Sequence, residues 1–352
     1  MIWMLEEFAR LAPLMVKAAI VAALSMAISV ILSRAYVGAQ QWVAGRFTQT
    51  YGHLIREALD GDESALQMLS KIPRRSRLGI AWMLIDPLIE DRSAARIARS
   101  HAIAEATSLF DLADGYLRSW FWWRRALALR ALGLTDAKDY TPKLIAALDD
   151  PHPDVRAAAL DALTDLRDPA SLQAIVTRVN DTSLHRGRRG AALKAFGSAC
   201  EPLLLEWSEA DMENRIDYIH AIGICGTERS RPLLRRWTHD ARVEVRATAF
   251  QAMGYVGLDD ITAQVAIDGL ESNDVSVRAM AAFALRGWQG PGDASAHLAP
   301  HLDDSWPVAV RAARTLRSMG EVGLAELQAR AAREGLGGLL ARQMLWQPDA
   351  AH

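Results

Sequence analysis

Cysteine is nearly absent: Cys200 and Cys225 are the only two in 352 residues. That excludes a disulfide-built scaffold and a cysteine-rich zinc module. No excess of basic charge exists either, since 40 Lys and Arg stand against 42 Asp and Glu for a formal net charge of −2. A nucleic-acid binder working by counterion release needs a strong basic excess, so that class is set aside. Aromatic residues make up 7% of the chain, and β-branched residues are sparse against Leu, Ala and Arg, which favours helix throughout. Gly-rich phosphate loops, paired-carboxylate sites and nucleophile elbows are missing. The Gly287–Gly292 stretch (GWQGPG) follows no strand pattern and reads as a turn between helices. The chain is therefore expected not to be an enzyme, and no cofactor or metal is expected.

What the sequence does have is apolar residues, 51% against 23% charged, enough for a packed core and too many for general disorder. One apolar run stands out. From Leu11 to Leu32 the chain reads LAPLMVKAAIVAALSMAISVIL, interrupted by Lys17 and two serines. As a helix rising 1.5 Å per residue it reaches about 33 Å, against a hydrocarbon core of about 30 Å. Lys17 is placed to snorkel towards headgroups, and Trp3 and Tyr36 fall where interfacial aromatics sit. The run is expected to be an uncleaved transmembrane anchor within residues 1–40. Two rival readings are a signal peptide cut after Val37-Gly38-Ala39 and a buried soluble helix; Glu6, Glu7 and Arg34 oppose the signal peptide. Flanking positives lean towards a single-pass protein of a bacterial-type inner (cytoplasmic) membrane with its C-terminal body in the cytoplasm.

The strongest signal is a repeat. Arg125, Arg189, Arg215 and Arg246 are each followed by apolar residues four and seven positions later and by glycine at the eighth, namely Gly133, Gly197, Gly223 and Gly254. Arg156 opens a fifth copy with Thr164 in place of glycine, and Arg278 and Arg311 open two more with glycine one step later. Successive intervals are 31, 33, 26, 31, 32 and 33 residues. A period of about 32 holds two helices and two turns, and the i, i+4, i+7 spacing gives each helix one buried stripe. The glycines fit positions just past helix ends, where a left-handed conformation is needed. Second helices follow, as in Pro142–Leu148 and Pro232–Trp237, each leading into a polar turn such as Asp149-Asp150, His239-Asp240 or Asp303-Asp304.

The run Asp149-Asp150-Pro151-His152-Pro153-Asp154-Val155-Arg156-Ala157-Ala158-Ala159-Leu160 resembles a HEAT repeat of the short bacterial kind also seen in bilin-lyase-like proteins, and Glu244-Val245-Arg246 and Ser276-Val277-Arg278 carry the same Val-Arg core. The resemblance covers residues 118–347, about seven repeats. It implies an all-α fold, an α-solenoid of stacked helix pairs in which each pair covers its neighbour's apolar stripe. The recurring Arg125, Arg156, Arg189, Arg215, Arg246, Arg278 and Arg311 are expected to be structural, pairing with turn carboxylates such as Asp150 or Asp240 and with nearby carbonyls. The short interval between Arg189 and Arg215 marks a shortened repeat. Residues 41–117 read as a helical linker and N-terminal cap, with Asp62 capping a helix over Glu63–Lys71 and a second helix stopping before Pro87. Residues 348–352 are a tail. The basic run Lys71, Arg74, Arg75 and Arg77 reads either as a solvated helix start or as a contact for anionic lipid.

Trp120-Phe121-Trp122-Trp123-Arg124 is the one local feature the repeat does not account for. Trp and Arg are enriched where partners bind, so these five residues form the candidate interaction surface; the competing reading has the rings filling the junction between cap and first repeat. Trp288, Trp306 and Trp346 read as core or junction fillers. His297 and His301 precede Asp303 and Asp304, but Pro300 separates them and no metal site is assigned. Cys200 and Cys225 fall at near-equivalent positions of adjacent repeats. Helices in a stack lie about 8–10 Å apart, beyond the roughly 7 Å Cα limit for a disulfide, so both are expected to be free thiols. The functional expectation is a membrane-anchored HEAT-repeat scaffold that binds a membrane-associated protein, as an assembly or regulatory subunit, with no nucleic-acid partner. The alternative is a cofactor chaperone or lyase related to bilin lyases, which an N-terminal anchor fits poorly.

Overall fold

The computed structural model describes residue 26 and residues 48–73, 79, 80, 83–286, 288, 290 and 294–346. The expected anchor, apart from Met26, lies outside the described residues, as do Arg74, Arg75, Arg77, Gly287 and the tail. Among the described residues there are helices and turns but no strand, and no helix is long and apolar enough to cross a membrane. The chain divides into two compact units, one reaching Ser119 and taking in Leu134–Asp136, the other formed by Trp120–Gly133 and the residues from Ala137 onward.

The first unit contains α1 (48–59), α2 (Glu63–Ser70), α3 (Ile85–Glu90), α4 (Ala94–Ala106) and α5 (Leu109–Leu117). Asp62 caps α2, its carboxylate accepting from the Ser64 amide at 2.7 Å, which meets one of the orphan donors of a helix start. Ser93 does the same for α4 through the Arg96 amide. Residues 79, 80 and 83 are helical and a turn at Leu84 ends that stretch before Pro87, as expected, but Pro87 itself belongs to the next helix. It stands third in α3, within the first turn, where a missing N–H costs nothing. Ile55, Leu59, Leu69, Ile80, Leu84 and Ile103 form the core. Ser100 Oγ donates to the Leu134 carbonyl at 3.0 Å, which is how residues 134–136 join this unit.

The second unit is a solenoid-like helical repeat. Its helices alternate as first and second members of hairpins: α6 (Trp122–Leu134) and α7 (Thr141–Ala146), α8 (Pro153–Leu166) and α9 (Leu172–Val176), α10 (Arg186–Phe196) and α11 (Glu201–Ala210), α12 (Arg215–Cys225) and α13 (Arg231–Trp237). α14 (Val243–Val256) and α15 (Asp260–Gly269), α16 (Val275–Ala284) and α17 (Ala294–Leu298), and α18 (Trp306–Ser318) and α19 (Glu321–Ala331) follow, closed by α20 (Leu336–Trp346). The even-numbered helices pack on one another in succession, and their stripes supply the core: Leu129 and Leu132, Val155 and Leu163, Ile219 and Ile222, Met253, Ala281, Leu316. Each such large side chain contributes about 1.5–3 kcal/mol on burial.

Arginines and aspartates tie the hairpins together. Arg125 grips Asp150 of the next turn with Nε at 2.7 Å and Nη2 at 2.8 Å. Arg215 reaches Asp240 at 3.0 Å and the Ser208 carbonyl at 2.9 Å. Arg246 reaches Asp274 at 2.5 Å and the carbonyls of Asp240 and Ala241 at 2.9 Å. Arg278 grips Asp304 with two bonds of 2.8 Å and also donates to the Ser272 and Asn273 carbonyls. One guanidinium thus closes the turn before its own helix and binds the turn of the following hairpin, a use of its planar fork that lysine does not match. Arg156 meets the Asp150 and Pro151 carbonyls, with Ser183 Oγ in place of a carboxylate.

Two expectations need correction. Arg311 does not continue the series. The buried valine preceding the arginine position is third in its helix in α8, α14 and α16 (Val155, Val245, Val277), and its counterpart in α18 is Val308. Ala309 therefore occupies the arginine position, while Arg311 lies two residues on, its guanidinium 5.2 Å from the centre of the Phe283 ring. The glycines, too, are mostly not helix ends. Gly133, Gly223 and Gly254 lie inside α6, α12 and α14, where a β-carbon would stand 2.6 Å from Ala162 Cα, 3.3 Å from Ala252 Cα and 2.9 Å from a Phe283 ring carbon, respectively. They are contact points between neighbouring first helices. Gly197, with φ +56°, and Gly320, with φ +70° just past the end of α18, are the members of the set that do follow a helix end as expected.

A second polar set lies where the second helices begin. Thr141, Ser171, Ser230, Thr262 and Ser295 are all buried there, and Glu201 stands at the same place in α11. The Glu201 carboxylate, 4% exposed, accepts from the Thr227 amide at 2.8 Å, Thr227 Oγ1 at 2.7 Å and Ser230 Oγ at 2.5 Å. Burial pushes its pKa up, yet the hydrogen bonds from Ser230 and Thr227 prevail and hold it below the usual carboxylate range.

Candidate interaction site

The aromatic run opens the second unit. Trp120 and Phe121 lie in the turn before α6, Trp122 is its first residue, and Arg125 is its fourth. Trp120 is 93% exposed, Phe121 52% and Trp122 42%, whereas Trp123 and Arg124 are partly covered. The structure therefore sorts the five residues: three rings face solvent and two side chains support them. The Arg124 guanidinium lies 5.2 Å from the Phe121 ring centre and 5.1 Å from that of Trp123, within cation–π range. The Phe121 and Trp123 rings are themselves 6.3 Å apart.

The turn is held firmly despite this exposure. Trp122 stacks on the His152 imidazole of the next hairpin, 4.2 Å between centres and 2° from parallel. His152 is fixed in turn because its Nδ1 accepts from the Asp154 amide and caps α8. The Trp120 carbonyl accepts from Arg125 Nη1 at 3.2 Å. Arg125 is itself clamped to Asp150, whose carboxyl is pushed up by burial but brought below its ordinary value by the Arg125 and His152 N–H donors. A fully exposed indole on a backbone locked by an ion pair offers apolar area at little ordering cost, which is what binding hot spots require.

Other singled-out residues sit apart from this turn. Trp306 is 62% exposed at the start of α18 and Trp346 is 88% exposed at the end of α20, so neither fills a core. Trp288 is mostly covered, with a buried indole nitrogen lacking a hydrogen-bond partner among the described residues. His301 lies 3.3 Å from Asp304 and supports the Arg278 rung. Cys200 and Cys225 are buried free thiols. They lie close enough to interact: a hydrogen bond from Cys225 lowers the Cys200 pKa, while that contact and burial raise the Cys225 thiol well above its ordinary value.

Residues 111–197 match a family described as HEAT repeats. The match supports the HEAT-repeat reading there. No curated protein matches the sequence. Among solved structures, Kap95 in a Kap95–Nup1 complex is 13% identical with a TM-score of 0.49, the alignment covering 86% of this chain and 53% of Kap95. Human deoxyhypusine hydroxylase is 18% identical with a TM-score of 0.29, over 85% of this chain and 96% of the hydroxylase. The CpcE–CpcF phycocyanin lyase complex of Nostoc sp. gives 17% identity and a TM-score of 0.28, over 70% of this chain and 92% of the matched chain. The chain spans about half the length of Kap95.

Proposed function

We propose that this HEAT-repeat protein is a non-enzymatic scaffold that docks a protein partner on the turn formed by Trp120, Phe121 and Trp122. The observation that carries the reading is the 93% exposure of Trp120 on a turn clamped by the Arg125–Asp150 ion pair. An isolated exposed aromatic is unremarkable, but three adjacent ones on a rigid base make a hot-spot cluster. In the same reading Leu11–Leu32 anchors the chain in a membrane, the repeats lie on its cytoplasmic side, and the partner is a component of a membrane-associated complex, where tethering raises the effective concentration of the two proteins.

The test is site-specific photocrosslinking from position 120 of the full chain in intact membranes, with Gln264, an exposed residue of α15, as the control position. A discrete protein adduct at 120 that is absent at 264, and is lost when Trp122→Ala is added, supports the proposal. Identical adducts from both positions, or none from 120, overturn it.

A further inference from the structure

We infer that α10 and the loop before it, residues 177–185, form a hinge in the second unit, set between a stiffer block over residues 122–176 and another over residues 201–318. Four independent features converge on this point.

The first is a gap in the ladder of ion pairs. Arg189 stands fourth in α10, as Arg125, Arg156, Arg246 and Arg278 do in their helices, but among the described residues no carboxylate meets it. Its Nη1 donates to the Val179 carbonyl, and its Nε is buried without a hydrogen-bond partner. The acid that the repeat would supply, Glu209, six residues before Arg215 as Asp240 is before Arg246, pairs with Arg236 instead. On the other side of α10, Arg156 finds the neutral Ser183 hydroxyl at 3.1 Å. Two successive junctions thus lack the carboxylate rung present at Asp150, Asp240, Asp274 and Asp304. Two exposed pairs do cross here: Arg188–Asp161, with both side chains about two-fifths exposed, and Arg178–Asp149, whose aspartate is 71% exposed; such pairs contribute little.

The second feature is thin packing. Of the 11 residues of α10 only Ala192 and Leu193 are buried, against seven of 14 in both α8 and α14. The third is local propensity. α10 carries Gly187 in its first turn and Gly190 in its interior, the interior one weakening the helix by about 1 kcal/mol relative to alanine. The fourth is a void of about 10 Å³ at this junction, bounded by Leu160 of α8, Ile175 of α9, Val179 and Leu184 of the loop, and Arg189 and Leu193 of α10. Segments with few buried contacts open at free energies far below that of global unfolding. The downstream block, by contrast, is held from its first residue, because buried Glu201 binds Thr227 and Ser230 of the next hairpin.

Paired spin labels on the full chain test the hinge. Arg130 and Glu206 are exposed residues two hairpins apart across α10, and Glu244 and Arg314 are exposed residues two hairpins apart downstream of it. With each pair changed to cysteine in a Cys200→Ala, Cys225→Ala background, the Arg130/Glu206 distance distribution should be at least about twice as wide as the Glu244/Arg314 one. Equal widths overturn the hinge. Amide exchange on the unaltered protein provides the second readout and needs no variant to fold: α10 amides should exchange at least about tenfold faster than those of α14. Equal protection of the two helices overturns the hinge as well.

Discussion

Gly133 of α6 faces Ala162 of α8 at such short range that a β-carbon on Gly133 would stand 2.6 Å from the Ala162 Cα and 2.8 Å from its Cβ. Both atoms belong to a neighbouring helix, so neither can swing away as the end of a side chain could. Gly133→Val should lower stability by about 1–3 kcal/mol, the ordinary cost of overpacking, read as a shift of the urea midpoint. An unchanged midpoint would mean that the two helices are not in contact at this point.

That relationship also shows how far the sequence could be read. Spacing found the arginines because a guanidinium that binds a turn on either side of its helix must recur once per hairpin; Arg125, Arg215, Arg246 and Arg278 do so. Spacing misread the glycines, because the eighth position after the arginine serves equally as a helix end or as the face turned to the next helix. Only the backbone distinguishes Gly197, at φ +56°, from Gly133, Gly223 and Gly254 inside their helices. Arg311 was misplaced because Val310-Arg311 copies the Val-Arg motif while the fold seats Val308 instead. Glu201 carried no visible signal: an acid where sister repeats have serine or threonine becomes meaningful only once it is found buried against Thr227 and Ser230. The exposure of Trp120 was equally unreadable, since an aromatic run before a helix fits a covered junction as well as an open one.

Acid should loosen the second unit once the pH falls through and below the ordinary carboxylate range. Asp304 is held well below the usual carboxylate range, chiefly by the Arg278 fork, with the Ser305 amide adding to it against burial. In Asp150, Asp240 and Glu201 burial pushes the pKa up, but hydrogen bonds and neighbouring arginines bring it below the ordinary value. A depressed folded-state pKa gives stability that is complete above the unfolded value of about 4 and is lost as pH falls through the folded one. Thermal midpoints should therefore be flat from neutral pH down to about 5 and fall steeply below about 4. Asp304→Asn should make the fall shallower while lowering the neutral plateau. A midpoint that rises on acidification would contradict these assignments.

Trp120 and Trp122 should separate binding from folding. Trp120 is 93% exposed and Trp120→Ala should leave the thermal midpoint unchanged. Trp122→Ala loses the ring stack on His152 and should cost about 0.5–1.5 kcal/mol. Trp122→Ala should remove the adduct formed from position 120, and Trp120→Ala should abolish capture of that same protein in a pull-down. If Trp120→Ala instead unfolds the protein, the indole is covered and the docking turn is misassigned.

The claim on which the rest stands is that Arg125, Arg215, Arg246 and Arg278 each clamp the next hairpin in place. A double-mutant cycle of Arg278→Gln and Asp304→Asn, measured by urea unfolding at neutral pH, tests it most directly. The two bonds of 2.8 Å between mostly buried groups predict a coupling energy of about 1.5–3 kcal/mol. A coupling below about 0.3 kcal/mol, with the two single losses simply adding, would contradict the account.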